Sequence, residues 1–418
     1  MHAQTVAEPR KGGRRFALWH NRDYLLLWSG QTVSFVGTQV SGIAFPLLIL
    51  AITHSPAQAG VAYALRSLPY IVFSLPVGAL IDRGDRKRVM ILCDSGRALA
   101  LGSIPVTLAL GRLTIWQLYA TALVEGTLFV FFNLAEVACL PRVVTPEQLP
   151  AATAQNNATE GISGLVGPSL SGVLYTTARA LPFAADAISY VASVISLLFV
   201  RAAFQAERAT RQRALRAEIG EGLGWLWSHP LIRYIAFLTG GLNFIWAGAP
   251  LIVILLAQQQ GASPAVIGLI FAIGGAGSIV GAVVAPAIRR RFSFRQVIVG
   301  TMWLTALLWP LYAVASNPLL LGVVTAALFT VGPIYDVMQF SYRLSLIPDE
   351  LQGRVNSVFR LLAFGFQPLG AGLTGVLLQT IYPAPTVLVL FVVLLALAWL
   401  TSVNQHVHAA QAITASAR

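Results

Sequence analysis

Charged side chains stand inside long apolar stretches of the chain, and their types suggest proton chemistry. Glu125 lies about ten residues into the run that begins at Ile115, and Arg66 is similarly deep in an earlier run. Asp336 and Arg343 are seven residues apart, which puts both on one face of a helix. A carboxylate in such surroundings can take up and release a proton while a cationic neighbour holds it in place. We therefore predict Glu125, with Arg66 as its partner, as the proton-carrying site, and Asp336 as the alternative.

The composition of the chain indicates a membrane protein. Charged residues make up 11% of the 418 residues and hydrophobic residues 56%, whereas a typical soluble domain is roughly 25% charged. The formal net charge of +12 does not indicate nucleic acid as a partner, because the basic residues lie in short blocks between apolar segments. A charge at mid-bilayer costs about 2.5–3.5 kcal/mol on insertion scales, so each of the buried charges needs a reason.

Twelve segments are long and apolar enough to cross a bilayer as helices, which takes about 20 residues each. The predicted spans, numbered 1 to 12 in chain order, are 24–50, 58–81, 89–110, 115–139, 154–177, 181–200, 231–257, 265–288, 297–315, 319–345, 355–380 and 384–403. We expect an all-α integral membrane protein with two pseudo-symmetric six-helix halves. The predicted order is a tail at 1–23, a first half at 24–200, a loop at 201–229, a second half at 230–403 and a tail at 404–418.

The loop between the halves is charged but has an apolar pattern of its own. Its large apolar residues recur four apart, at Leu215, Ile219, Leu223 and Trp227. This spacing predicts an amphipathic helix that lies on the membrane surface.

Short sequence repeats relate the two halves. The stretch "SPAQAG" at 55–60 reappears as "SPAVIG" at 263–268, and "LSGVLYT" at 170–176 reappears as "LTGVLLQ" at 373–379. The pairs 146–149 with 348–351 and 46–50 with 250–254 follow the same order at nearly the same spacing. Such matches indicate a duplicated six-helix unit, which is an architecture of transporters.

The positive charges predict the orientation of the chain. They gather before span 1, between spans 2 and 3, in the loop 201–229 and at 289–295, whereas the connections at the opposite, external end keep only Arg112 and Arg179. Since cytoplasmic connections carry the excess of arginine and lysine, both termini are expected in the cytoplasm, in a multi-pass cell membrane protein.

The turn between spans 2 and 3 reads "GALIDRGDRKRVM", Gly78 to Met90, with six charged residues in the seven from Asp82 to Arg88. It resembles the signature loop of the major facilitator superfamily, roughly G-x-x-x-D-R-x-G-R-K. Asp85 stands where that signature has its second glycine. The stretch "GRVNSVFR" after "IPDEL" also resembles the drug-efflux branch that includes macrolide and siderophore exporters. The resemblance covers nearly the whole chain.

The resemblance implies a cytoplasmic gate in this turn. Asp82 would face the N-terminal end of span 11, near Val355 to Ser357, where the helix dipole is positive. The gate residues are Gly78, Asp82, Arg83, Arg86 and Lys87. For the arginines, a role restricted to anchoring the topology is the alternative.

Span 5 contains "GISGLVGPSLSG", Gly161 to Gly172, which resembles the glycine-proline motif of antiporters in this superfamily. Two serines replace glycines of that motif. The small residues allow close helix packing and the proline bends the helix, so packing alone is the alternative to an antiport role. The matching residues are Gly164, Gly167, Pro168 and Gly172.

In this superfamily spans 1, 4, 7 and 10 line a central cavity, and the resemblance assigns their polar and aromatic stripes to it. The candidate substrate residues are Gln31, Ser34, Thr38, Phe129, Phe132, Asn243, Trp246, Gln339, Phe340 and Arg343. Aromatic residues beside a few charges suit bulky amphipathic molecules.

The sequence has no P-loop for nucleotide binding and no histidine at mid-membrane. We expect no catalytic residues, no cofactor and no metal, and a monomer whose partners are a small-molecule substrate, protons and lipids. The predicted function is proton-coupled export of small amphipathic molecules such as drugs. Export of siderophores or other metabolites, and a non-transporting sensor or scaffold on the same fold, are the alternatives.

Overall fold

The structure of the protein is a computed structural model that describes residues 18–202, 204 and 215–410. The side chains of 75–76, 78–80, 82–83 and 215–218 lie outside the description. Within the described ranges every regular element is a helix. Ten helical stretches there are long and apolar enough to cross a membrane, and Pro56–Arg83 and Leu149–Thr177 complete a set of twelve.

Nine of the twelve spans are single helices, and spans 7, 9 and 11 are interrupted. Spans 1 to 6 are Arg22–Thr53, Pro56–Arg83, Arg86–Ala109, Ile115–Val143, Leu149–Thr177 and Leu181–Phe199. Spans 7 to 12 are Pro230–Trp246 with Ala249–Gln259, Pro264–Arg291, Phe294–Leu308 with Leu311–Val314, Pro318–Leu346, Gln352–Gly365 with Gln367–Ile381, and Pro383–Val403. The boundaries fall within a few residues of the predicted ones.

The repeated "SPA" stretches begin spans 2 and 8 by the same local chemistry. The Ser55 hydroxyl accepts the backbone N–H of Gln58 at 3.3 Å, and the Ser263 hydroxyl accepts that of Val266 at 3.4 Å. In each case a proline follows as the first helical residue, where its missing N–H costs nothing. The duplicated motif is therefore, in part, a duplicated helix start.

The glycines of the same repeats bring the two halves together. A Cβ placed on Gly60 of span 2 would lie 2.8 Å from the Cα of Gly375 in span 11. One placed on Gly268 of span 8 would lie 3.1 Å from the Cα of Gly172 in span 5. Gly60 and Gly268 are equivalent positions of the two repeats, and so are Gly172 and Gly375. Two pseudo-symmetric contacts thus join the halves, at distances that only small residues permit.

These contacts lie towards one end of the bundle, which we call the far end; it carries the connections 54–55, 110–114, 178–180 and 260–263. A hydrogen bond of 2.9 Å from the Ser55 hydroxyl to Gln379 Oε1 adds to the seal. The opposite, charged end carries the connection 84–85, the loop 201–229 and the arginines at 289–295. Towards it, Gly161 and Gly353 meet open space rather than the other half. The glycine contacts and the Ser55 hydrogen bond thus close the halves together at the far end.

The loop between the halves contains a helix, Leu215–Ser228, that packs on the second half. Gly222 lies against the backbone of Arg354 at the start of span 11, and Arg354 Nη1 pairs with Glu221 Oε2 at 2.6 Å. Leu226 is fully buried, whereas Leu223 and Trp227 of the predicted apolar stripe are 42% and 51% exposed. Leu223 and Trp227 face away from the protein, as lipid-facing residues would.

Candidate functional site

Glu125 of span 4 is held by two arginines from neighbouring spans. Both Arg66 Nε and Arg66 Nη2 donate to its carboxylate, the latter at 3.2 Å. Arg97 Nη2 of span 3 donates to Glu125 Oε1 at 2.9 Å. Spans 2 and 4 come close enough for this because Gly126, beside Glu125, packs against the backbone of Arg66. The predicted pair of Glu125 and Arg66 is thus present in the structure, with a second cation that was not predicted as its partner.

Arg97 ties this ion pair to the rest of the first half. Its Nη1 lies 3.6 Å from Asp94 Oδ1 in the same span. Its guanidinium lies 4.1 Å from the centroid of the Tyr190 ring in span 6, in the range of a cation–π contact. The Tyr190 hydroxyl is in turn 2.9 Å from the Thr38 hydroxyl in span 1. The network therefore connects spans 1, 2, 3, 4 and 6.

Exposure differs sharply within the network. The side chains of Arg97 and Glu125 are 3% and 5% exposed, whereas that of Arg66 is 28% exposed. Arg66 lines a cavity of about 310 Å³ between the halves, together with Tyr63 of its own span and Phe329 of span 10. A change in the charge of Glu125 would consequently reach this cavity through Arg66.

A second cavity, of about 300 Å³, lies within the second half. Its wall includes Asp336 and Tyr335 of span 10, Asn243 and Trp246 of span 7, and Phe329, which also lines the first cavity. The Tyr335 hydroxyl is fixed by the Thr239 hydroxyl at 2.7 Å. Asn243 Nδ2 is fixed by the carbonyl of Ala363 in span 11 at 2.8 Å. Fixed polar groups on an aromatic wall are typical of a small-molecule site.

The family comparisons agree with this architecture. The transmembrane secretion effector family matches residues 14–418, which is nearly the whole chain. The chain belongs to this family of the major facilitator superfamily. The predicted major facilitator fold and the predicted exporter class are confirmed by this match.

Relatives of this protein include exporters. The multidrug efflux pump Tap of Mycolicibacterium fortuitum is 25% identical over 84% of this chain and 88% of Tap. The enterobactin exporter EntS of Citrobacter koseri is 26% identical over 82% of each chain. Both of these relatives are bacterial export proteins by name.

Solved structures of bacterial ferroportin homologues in two states have the same fold as this chain. A bacterial homologue of the iron transporter ferroportin in an inward-facing state matches with a TM-score of 0.70, at 17% identity over 90% of this chain and 98% of that chain. A bacterial ferroportin homologue in an outward-facing state with soaked iron matches with a TM-score of 0.59. It is 16% identical, over 90% of this chain and 98% of that chain. Both comparisons show that the chain has this transporter fold.

Several predicted cavity residues of this secretion effector are buried inside one half instead. Gln31 and Ser34 are 6% and 4% exposed, and Gln31 Nε2 donates to the Ser193 hydroxyl of span 6 at 3.3 Å. Phe132, 4% exposed, packs in the apolar core of the first half. The faces of spans 1 and 4 that carry these three residues turn towards their own half in this structure, and their place in a substrate cavity stays a prediction.

Four of the remaining predicted residues lie at the two sites, and three residues of span 10 lie outside both. Thr38 belongs to the Arg97 network, and the Phe129 ring centroid lies 5.7 Å from that guanidinium. Asn243 and Trp246 lie with Asp336 on the second cavity. Arg343 and Gln339 are buried at 4% and 7% and bond to each other at 3.2 Å, while Phe340 is 49% exposed.

Arg97 is a member of the Glu125 network that the sequence prediction did not include. Span 3 begins at Arg86 rather than at residue 89 because the Asp85 side chain caps the helix by accepting the Arg88 N–H at 3.2 Å. Arg97 is therefore eleven residues into the span, or about 17 Å at 1.5 Å per residue, which is near the midplane. Asp85, which departs from the loop signature, explains the difference.

The other motif residues are placed as follows. Arg86 donates to the carbonyl of Ala138 at 2.8 Å, and Lys87 donates to that of Val200 at 2.7 Å, both within the first half. The side chains of Gly78, Asp82 and Arg83 lie outside the described residues. In span 5, Gly164 and Pro168 line the cavity between the halves, Gly167 packs on Gln39 of span 1, and Gly172 packs on span 8.

Proposed function

We propose that the protein is a proton-coupled exporter of small amphipathic molecules that works by alternating access of its two halves. The observation that carries the proposal is the buried Glu125 carboxylate, bound to Arg66 on the wall of the cavity between the halves. An acid in this position can exchange a proton, and its change of charge would alter the electrostatic interaction with a bound molecule. Export also agrees with the match to the transmembrane secretion effector family.

The proton step follows from the contacts of Glu125. Two guanidiniums donate to it, which is the arrangement expected of an ionised acid. Protonation from the far side would remove this charge and weaken both ion pairs, so that Arg66 and Arg97 can move. Release of the proton towards the charged end would restore them. Substrate leaves while Glu125 is protonated and enters while it is ionised.

The names of the relatives support two substrate classes. The likeness to the multidrug pump Tap supports drugs, and the likeness to the enterobactin exporter EntS supports siderophores as a second candidate. The cavities have volumes of about 300 Å³ each, and Phe329 belongs to both walls. They would take the smaller apolar parts of a drug or of a siderophore.

We further propose that the charged end lies in the cytoplasm, with both termini. The basic residues around 84–88 and 289–295 support this orientation. Asp82 and Arg83 stay proposed gate residues, and their side chains lie outside the described part. Arg86 and Lys87, which hold carbonyls at the ends of spans 4 and 6, are proposed as anchors of this end. A monomer in contact with lipids is the proposed assembly.

Single cysteines test the orientation. Cys93 and Cys139 are buried and unpaired, so they can be replaced to give a silent background. In intact cells, Arg88→Cys and Arg290→Cys are expected to resist an impermeant thiol reagent, while Arg112→Cys and Arg179→Cys react. All four positions are exposed, so that a lack of reaction reports the side of the membrane. Labelling in the opposite pattern would invert the proposed topology.

Purified protein in liposomes tests the transport function. An imposed pH gradient, acidic on the side of the far end, is expected to drive movement of a fluorescent amphipathic probe towards that side without ATP. Collapse of the gradient by a protonophore should stop it. Transport that ignores the gradient, or that requires a nucleotide, would contradict proton coupling.

A further inference from the structure

We infer that the cavity within the second half is a binding pocket for organic cations, with Asp336 as the anionic contact. The inference deepens the proposed function, because it names the class of substrate that the exporter would carry. It is based on the charge, the acceptors and the aromatic surfaces of the cavity wall.

Asp336 supplies the only charge on this wall among the described residues. Its side chain is exposed, and no arginine, lysine or histidine of the described part lies within 4.0 Å of its carboxylate. Arg343, seven residues along the same helix, forms no salt bridge with it. That guanidinium bonds to Gln339 and lies 3.7 Å from the centroid of the Phe359 ring. The negative charge of Asp336 is thus available to a molecule in the cavity.

The neighbours of Asp336 complete a site suited to an organic cation. Trp246 and Phe329 stand edge to face with ring centroids 5.6 Å apart, and both line the cavity. Aromatic faces attract cations, and tryptophan does so best. Because Asn243 Nδ2 is engaged by Ala363, its Oδ1 is left as an acceptor with no hydrogen bond within the described residues. An ammonium or similar group would find a carboxylate, an amide oxygen and ring faces together.

The charges of the two cavities favour the same placement. Arg66 lines the cavity on the side of the first half, and Asp336 lines the one inside the second half. Phe329 belongs to both walls, so the two spaces adjoin. A cation that enters from the charged end is repelled by Arg66 and attracted by Asp336, and it therefore binds on the second half. Neutralising Glu125 would strengthen this repulsion, because Arg66 would lose its counter-charge.

Binding of tetraphenylphosphonium to the purified full chain in detergent tests the inference, with tetraphenylborate as the anion of the same shape. The phosphonium is expected to bind, and Asp336→Asn, which removes the Coulomb attraction of the carboxylate, should weaken its binding roughly tenfold or more. Asp336→Glu should restore most of the affinity, which excludes misfolding as the cause. Glu350→Gln, which removes an exposed carboxylate at the start of span 11, should leave binding unchanged.

The outcomes separate this inference from the proposed function. If Asp336→Asn binds phosphonium as tightly as the unmodified protein, or if the borate binds as tightly as the phosphonium, the cation pocket is wrong, whatever the transport assay gives. If Asp336→Asn loses phosphonium binding and Asp336→Glu regains it, the pocket is supported. In that case the pocket remains supported even if a pH gradient drives no transport. Such a failure of transport would overturn only the proton-coupled function.

Discussion

Glu125→Gln is expected to abolish proton-driven export while substrate binding is retained. Glutamine keeps the size of the side chain and one acceptor oxygen for Arg66 and Arg97, but it cannot exchange a proton. Since Glu125 lies behind Arg66 rather than on the cavity wall, a substrate loses no direct contact. Efflux driven by an imposed pH gradient should fall to the level of empty liposomes, and substrate-induced proton release should disappear.

The stability of this variant needs a parallel measurement. Removing one partner of a buried ion pair costs about 3–5 kcal/mol, and here two arginines, one of them 3% exposed, would lose their anion. We expect a lower thermal midpoint with the fold retained, which phosphonium binding to the same preparation would verify. Glu350→Gln serves as the matched control on an exposed carboxylate.

Asp336→Asn should behave in the opposite way, with weakened affinity and intact coupling. If Glu125→Gln still releases protons on binding and Asp336→Asn does not, the two acids have exchanged roles. If both variants release protons as the unmodified protein does, the carrier lies elsewhere. Glu136, which lies in span 4, and the exposed Glu160 of span 5 are then the next residues to replace.

The sequence predicted those features correctly for which the local helix chemistry and the overall fold require the same residues. The repeat around Ser55 and Ser263 predicted a duplicated unit, and the structure gives its cause in a helix start followed five residues later by a contact glycine. The depth of Glu125 and Arg66 predicted their pairing for a similarly simple reason. Their distances from the helix ends place both near the midplane, and a buried charge there needs a partner.

The faces of the spans were harder to predict. In a soluble helix the apolar side identifies the core, but a span meets lipid on one side and protein on the other, and both are apolar. Phe132 could therefore be assigned to the cavity although it packs in the core of the first half. Gln31 shows the same limit for polar residues, because its partner Ser193 is inside its own half.

Arg97 shows how the boundary of a helix affects the choice of candidate residues. Its depth depends on where span 3 begins, and the cap by Asp85 moves that start by one helical turn relative to the apolar run. The arginines and lysine that precede the apolar residues belong to the helix, which hydropathy alone does not reveal. Capping chemistry in the charged turn was the signal that could have placed Arg97 beside Glu125.

Gly268→Leu is expected to open the far end and stop transport. Any Cβ at this position crowds the carbonyl of Pro168 and lies 3.1 Å from the Cα of Gly172, so a leucine must force spans 5 and 8 apart. Overpacking of this kind costs about 1–3 kcal/mol, which shifts an equilibrium between two states by about 5- to 150-fold. The penalty applies only while the far end is closed, so the halves should favour the state in which it is open.

Thiol accessibility measures that shift. Gln39→Cys stands on the wall of the cavity between the halves, and with the far end closed it should be protected from an impermeant reagent outside the cell. With Gly268→Leu added, it should react severalfold faster, while gradient-driven efflux falls. Gly60→Leu, at the equivalent position of the other repeat, should do the same, whereas Gly300→Leu, which faces open space in span 9, should do neither. Unchanged accessibility and intact efflux in both repeat variants would mean that the paired glycines pack the halves together without sealing the far end during the cycle.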